Sequence, residues 1–172
     1  AYGGTALVRM LAAIPGFQPM ALGQAQVQSV ALSDVATVVI AVVGGRLPPG
    51  EYDLVEEQSQ SLSQVVAETR KWLGFAPARV TLTLPVWVVR HIGRMADLLG
   101  RLGWRSPLRT TAIRVLEDGI EGDPTTLRRI TGQELAPLQT IYARLRSGQE
   151  HRLSARMALM MPIAVAVLSL FW

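Results

Sequence analysis

Cysteine is absent from the 172 residues, which excludes disulfides, thiolate zinc sites, iron–sulfur clusters and a cysteine nucleophile together. Histidine is nearly as scarce: His91 and His151 stand far apart, so a histidine-built metal centre is not expected. Charged residues are only 17% of the chain against 49% hydrophobic, and this balance excludes a disordered tail. Aromatics are 6% and lysine is reduced to Lys71 beside sixteen arginines. A nucleic-acid surface normally combines lysines with interleaved aromatics, so no nucleic-acid partner is expected. Arginine in place of lysine, among so much Ala, Val, Leu and Gly, fits a high-GC bacterial genome.

The net charge of +4 is uneven. Residues 1–85 hold five basic and six acidic side chains, whereas 86–172 hold twelve arginines against seven acidic residues. The basic half runs into sixteen uncharged residues from Met157 to Trp172. As a helix these would span about 24 Å at the usual rise, short of the ~30 Å hydrocarbon core. Preceded by Arg144, Arg146, Arg152 and Arg156, they read as the start of a transmembrane helix over 153–172. By the positive-inside rule, residues 1–152 would lie on the cytoplasmic side of a bacterial inner membrane. The competing reading is a buried C-terminal helix. The first residues do not read as a signal peptide, so none is expected here.

Residues 1–84 read as α/β. Thr5–Ile14 predicts a helix ended by Pro15-Gly16, and Gln26–Leu32 a strand. Val35–Val43 predicts a helix capped by Ser33 or Asp34 and closed by Gly44-Gly45. Glu51–Glu56 suits a short strand. Ser61–Leu73 suits an amphipathic helix with Leu62, Val65, Val66, Thr69, Trp72 and Leu73 on one face, ended by Gly74. Arg79–Leu84 alternates as a strand. Residues 85–152 predict a helical subdomain with helices over 86–102, 107–117, 124–131 and 135–146, the third opened by Asp123-Pro124.

Chemical signatures are few. No Gly-x-Gly-x-x-Gly follows a strand, and position 67, four residues before Lys71, is alanine rather than tyrosine. No catalytic residue and no metal ligand is therefore assigned. Asp118, Glu121 and Asp123 read as a solvated loop between helices, and His91 as a boundary residue.

The order of the short motifs nevertheless resembles the C-terminal half of the extended or atypical short-chain dehydrogenase/reductases. Those motifs are Tyr2-Gly3-Gly4, Ala31-Leu-Ser-Asp34-Val35-Ala36, Glu51-Tyr-Asp-Leu-Val55 and the helix from Ser61. The likeness is nearest to membrane-associated bacterial members related to the NAD(P)-binding accessory subunit of respiratory complex I. Only the end of that family's arginine-proline-to-tyrosine-glycine segment is matched, and Ser33 stands where the family often has an aspartate. From Arg156 onward the chain resembles the opening of a DoxX-like membrane domain.

The resemblance implies a Rossmann-like α/β domain in a longer polypeptide. NAD(P) would be held mostly by an absent N-terminal Rossmann half, with Tyr2 and Gly3 at the cofactor edge. It implies a substrate wall formed here by Tyr52, Trp87 and Arg94, with Arg90 as a further cation for an anionic or quinone-like substrate. Asp34 is expected to be a structural helix cap. The function implied is the substrate-binding part of a membrane-anchored oxidoreductase or epimerase-like protein, inactive as this segment. The alternative is a non-catalytic nucleotide-sensing or assembly scaffold with the same fold.

Overall fold

The computed structural model describes residues 4–101, 113–115, 117, 121–132, 134–145, 151–157 and 160. The described residues form a mixed α/β structure. Helix α1 (Gly4–Ala13) leads to β1 (Phe17–Met20) and β2 (Gln26–Val27), then α2 (Leu32–Val43), β3 (Gln60–Ser61), α3 (Leu62–Trp72) and β4 (Val80–Thr83). Helices α4 (Val86–Arg101), α5 (Thr125–Thr131), α6 (Leu138–Arg144) and α7 (151–157) follow. Residues 113–115 and 117 are also helical, in keeping with the end of the helix expected over 107–117, whose earlier part lies outside the described residues.

Local chemistry explains the strongest elements. In α3, Ser61 accepts from the Gln64 backbone N–H at 3.3 Å while the Ser61 N–H donates to Gln64 Oε1 at 2.9 Å, a reciprocal capping box. Its far end is a Schellman turn: Gly74 (φ +70°) donates to Lys71 O and Phe75 donates to Arg70 O. Helix α2 ends the same way, with Gly45 at φ +68° and the Arg46 N–H on Ala41 O. Both positive φ values are ones a side chain resists.

Strands β1 and β4 pair in parallel with Phe17 opposite Val80 and Pro19 opposite Leu82; β2 and β3 pair antiparallel. Helices α1 and α3 pack on each other and cover one face of β1. Ala12, Ala13, Met20, Leu62, Val66 and Leu73 form the core there, joined by Ala155 of α7. Because successive strand residues point to opposite faces, Phe17, Val80 and Leu82 share the other face, and they remain 48%, 61% and 50% exposed. Helix α2 is apolar yet buries none of its residues.

Several expectations are corrected. Asp34 is not the cap of α2. The helix starts at Leu32, and Ala31 takes the cap position without a side-chain bond, its carbonyl already accepting from Asp34 and Val35. Asp34 lies in the first turn instead, where its charge complements the helix dipole. The strand expected over Gln26–Leu32 is only Gln26–Val27, since Leu32 already enters α2. Glu51–Glu56 is irregular: the Glu56 N–H goes to Ser29 O, and the ladder with β2 forms further on, at Gln60–Ser61. Strand β1 was hidden by its proline, which is tolerated because β1 has one strand partner among the described residues. Helix α6 begins three residues later than predicted, because Pro137 pushes the preceding residue out of helical geometry.

Among the described residues no helix is long and apolar enough to cross a membrane. The expected transmembrane start keeps Ala155 in the core, while residues 158–159 and 161–172 lie outside the described residues.

Candidate functional site

The parallel pair has two ends with different chemistry. At the carboxyl ends, β1 runs into Leu22, which holds φ +56° in the left-handed region that a branched side chain resists. The turn that forces it is fastened by the Ala25 N–H on Leu22 O and by the Ser63 and Leu62 N–H groups on Gly23 O and Ala25 O. Strand β4 is tied in by the Leu84 N–H on Met20 O at 2.8 Å and leads directly to Trp87 at the start of α4.

Trp87 is exposed, with its ring edge-on to His91 at 6.0 Å, and its carbonyl contacts His91 Nδ1 at 2.8 Å. Arg94 is exposed two turns further along α4, and the seven-residue spacing puts it on the face of Trp87. Tyr52 is elsewhere: half-buried, it donates its hydroxyl to Pro48 O at 2.6 Å, and no hydrogen bond or ring contact among the described residues joins it to α4. Arg90 is committed to Glu117 through two hydrogen bonds of 3.1 Å, which raise its pKa. Tyr2 and Gly3 lie outside the described residues. The structure thus brings Trp87 and Arg94 onto one face and does not bring Tyr52 to them.

At the amino ends is a cleft of ≈ 490 Å³. Gly16 and Arg79, which precede β1 and β4, border it together with Arg70, Phe75, Arg156 and Met160. Arg70 is buried on the apolar side of α3 and donates to Ala76 O (2.5 Å), Ala12 O (3.1 Å) and Ile14 O (2.7 Å). Its position four residues after Val66 and three before Leu73 was the signal that could have placed it on the buried face.

Two further centres hold the helical part to the α/β part. Glu56, 1% exposed, accepts from the Ser29 N–H on Oε1 and from Gln60 Nε2 and the Leu138 N–H on Oε2. Gln28 donates to Glu56 O and accepts from the Gly122 N–H, while Asp53 accepts from the Asp123 N–H. The acidic loop around Asp123 is therefore partly a docking turn. Asp123 also accepts from the Thr125 N–H, and its pKa is lowered chiefly by hydrogen bonds to Thr125. Among the described residues no cluster fit for a metal occurs.

The second centre is aromatic. Trp72 stacks on Tyr142 at 4.8 Å and meets His151 at 5.5 Å, with Arg9 over its ring at 5.6 Å. Burial pushes the Tyr142 phenol above its ordinary value, outweighing the opposing pull of Thr69 and Arg9. A phenol whose folded pKa is raised contributes stability that is complete below the unfolded pKa of about 10 and is lost as pH climbs through the folded value. Denaturant midpoints should therefore fall on the alkaline side of that pH, and Tyr142→Phe should flatten the decline. An unchanged alkaline decline in the variant would show that Tyr142 is not its cause.

No family profile, no curated protein and no solved structure matches this chain.

Proposed function

We propose that this chain supplies the substrate-side part of a membrane-associated, NAD(P)-dependent oxidoreductase or epimerase-like protein, with most of the cofactor held by an N-terminal Rossmann half. The observation that carries this reading is the parallel β1–β4 pair, in which β1 is covered on one face by α1 and α3 while all four residues of β4 are exposed. Parallel sheets are stable with both faces covered. The open face of Phe17, Val80 and Leu82, together with uncovered α2, fits a larger parallel sheet completed by a second α/β layer.

In doubly wound folds ligands bind at the carboxyl ends of the strands. That is where the strained Leu22 turn and Trp87 lie, and Arg94 shares the Trp87 face of α4. An aromatic ring with a cation two turns away suits a planar substrate carrying an anionic or quinone-like group. Tyr2 and Gly3 would approach the cofactor edge. The chain has neither the glycine-rich cradle nor the tyrosine–lysine pair, so the bond-making groups belong to the other half.

Fluorescence titration of NADPH and NADH tests this, using the 172-residue chain and a longer polypeptide that places a Rossmann half ahead of residue 1. Binding is expected only for the longer polypeptide, with turnover if that half brings tyrosine and lysine. Tight binding by the shorter chain would overturn the assignment of the cofactor site. Binding by the longer polypeptide without turnover would favour a nucleotide-sensing scaffold.

A further inference from the structure

The cleft at the amino ends of β1 and β4 lies at the opposite end of the strands from the proposed substrate site. Among the described residues no carboxylate lines it. Arg70 is spent on backbone carbonyls, whereas Arg79 and Arg156 are exposed and make no ion pair among the described residues. Arg156 lies over the Phe75 ring at 5.4 Å, so its charge is held above an apolar floor.

The same edge carries exposed apolar side chains. Leu153, Met157 and Met160 are exposed, and with Arg156 they follow the three- and four-residue spacing of one helix face. Ala155, on the other side of α7, is in the core, and Arg152 anchors the helix by donating to Leu73 O and Gly74 O. Helix α7 is thus fixed by one side and presents a mixed basic and apolar side next to the arginine cleft. That is the arrangement of a segment that lies in a membrane interface.

We infer that the Arg79–Arg156 cleft binds the phosphodiester headgroup of an anionic phospholipid, while Leu153, Met157 and Met160 enter the acyl boundary beside it. Two guanidinium groups supply directed donors for phosphate oxygens. With no carboxylate among the described lining residues, nothing there repels an anion, and the apolar floor accommodates the glycerol and upper acyl carbons. The inference deepens the membrane-associated part of the proposed function and is independent of the cofactor.

The test is vesicle flotation of the full chain, diluted from detergent into phosphatidylcholine vesicles with and without phosphatidylglycerol. Binding should be markedly tighter with phosphatidylglycerol and weaken with added salt. Neutralising each arginine should lower the partition constant about five-fold, so Arg79→Gln with Arg156→Gln should lose about twenty-five-fold on the anionic vesicles. Arg79→Lys and Arg156→Lys keep the charge and should retain most of the preference, which guards against misfolding of the glutamine variants.

Equal binding to both vesicle types would overturn the headgroup site while leaving membrane association intact; binding to neither would overturn both. A preference unchanged in the double glutamine variant, but lost in Arg128→Gln with Arg129→Gln, would move the contact to another basic surface and overturn the site. Displacement from the vesicles by inorganic phosphate at constant ionic strength would identify a free-phosphate site instead.

Discussion

Replacing Glu56 by alanine should lower the unfolding free energy by about 3–5 kcal/mol, a large share of the margin of an ordinary domain. The carboxylate is buried, and both oxygens are used by donors from three places in the chain: Ser29 ahead of α2, Gln60 in β3 and Leu138 at the start of α6. Truncation leaves two backbone N–H groups facing a cavity, and it uncouples the helical part from the α/β part. Glutamine should recover only part of the loss, because its amide NH2 must face one of the donors now satisfied by oxygen. Glu57 is the control. Its ion pair with Arg128 at 3.0 Å lies in partly exposed surroundings, so Glu57→Ala should cost less than about 1 kcal/mol. Urea unfolding followed by tryptophan fluorescence checks both, with the slope m confirming that the transition remains of one kind. A Glu56→Ala loss no larger than that of Glu57→Ala would refute the role assigned to this network.

The second large effect is at Arg70. Arg70→Met keeps most of the side-chain bulk and removes the guanidinium, leaving the carbonyls of Ala12, Ile14 and Ala76 without the donor that joins them. The expected cost is about 2–4 kcal/mol, from the desolvation of acceptors left without a partner. Lysine should fall between, since one ammonium cannot reproduce the planar spread of donors that reaches both the end of α1 and the turn after α3. Hydrogen exchange separates this from general loosening: amides at the end of α1 and around Gly74-Phe75 should lose protection before those of α2. Uniform loss of protection would mean that Arg70 contributes bulk rather than directed bonds. The substitution also alters the wall of the amino-end cleft, so its vesicle binding should weaken together with its stability.

These residues mark where the sequence was legible and where it was not. The periodicity of Leu62, Val65, Val66 and Thr69 correctly announced the buried face of α3, whereas the Ser61–Gln64 capping box that starts it emerged only from the structure. Glycines 45 and 74 announced the ends of α2 and α3. Trp72 was legible as a member of the apolar face, but its ring contacts with Tyr142 and His151 were not, because those rings come from helices about seventy to eighty residues away. The Asp34 cap failed for a local reason. Ala31 already supplied the extended residue and carbonyl that the helix needed, three positions before Asp34.

For the candidate site, Trp87 and Arg94 were legible as neighbours on one helix face because their spacing is a property of the helix alone. Tyr52 was expected in a strand and in the same substrate wall, but residues 51–56 are irregular, so no periodic structure orients it toward α4, and its hydroxyl donates to Pro48 O instead. The cleft of Arg79 and Arg156 had no sequence signal at all. One arginine precedes β4 and the other lies in α7, and only the docking of α7 on the α1–α3 core brings them to a common opening.

The sequence by itself determined the elements whose causes lie within one or two turns of chain: helices α1, α3 and α4 and the glycine stops. It also determined the apolar, cysteine-free character that excludes thiolate chemistry. Only the tertiary structure decided that Phe17–Met20 is a strand, that it pairs in parallel with Val80–Thr83, and that Glu56 and Arg70 are buried. A strand with one proline becomes a strand when a distant partner accepts its register, and a charge can be buried when groups from several elements converge on it. Both depend on chain closures over tens of residues, which local propensity does not encode.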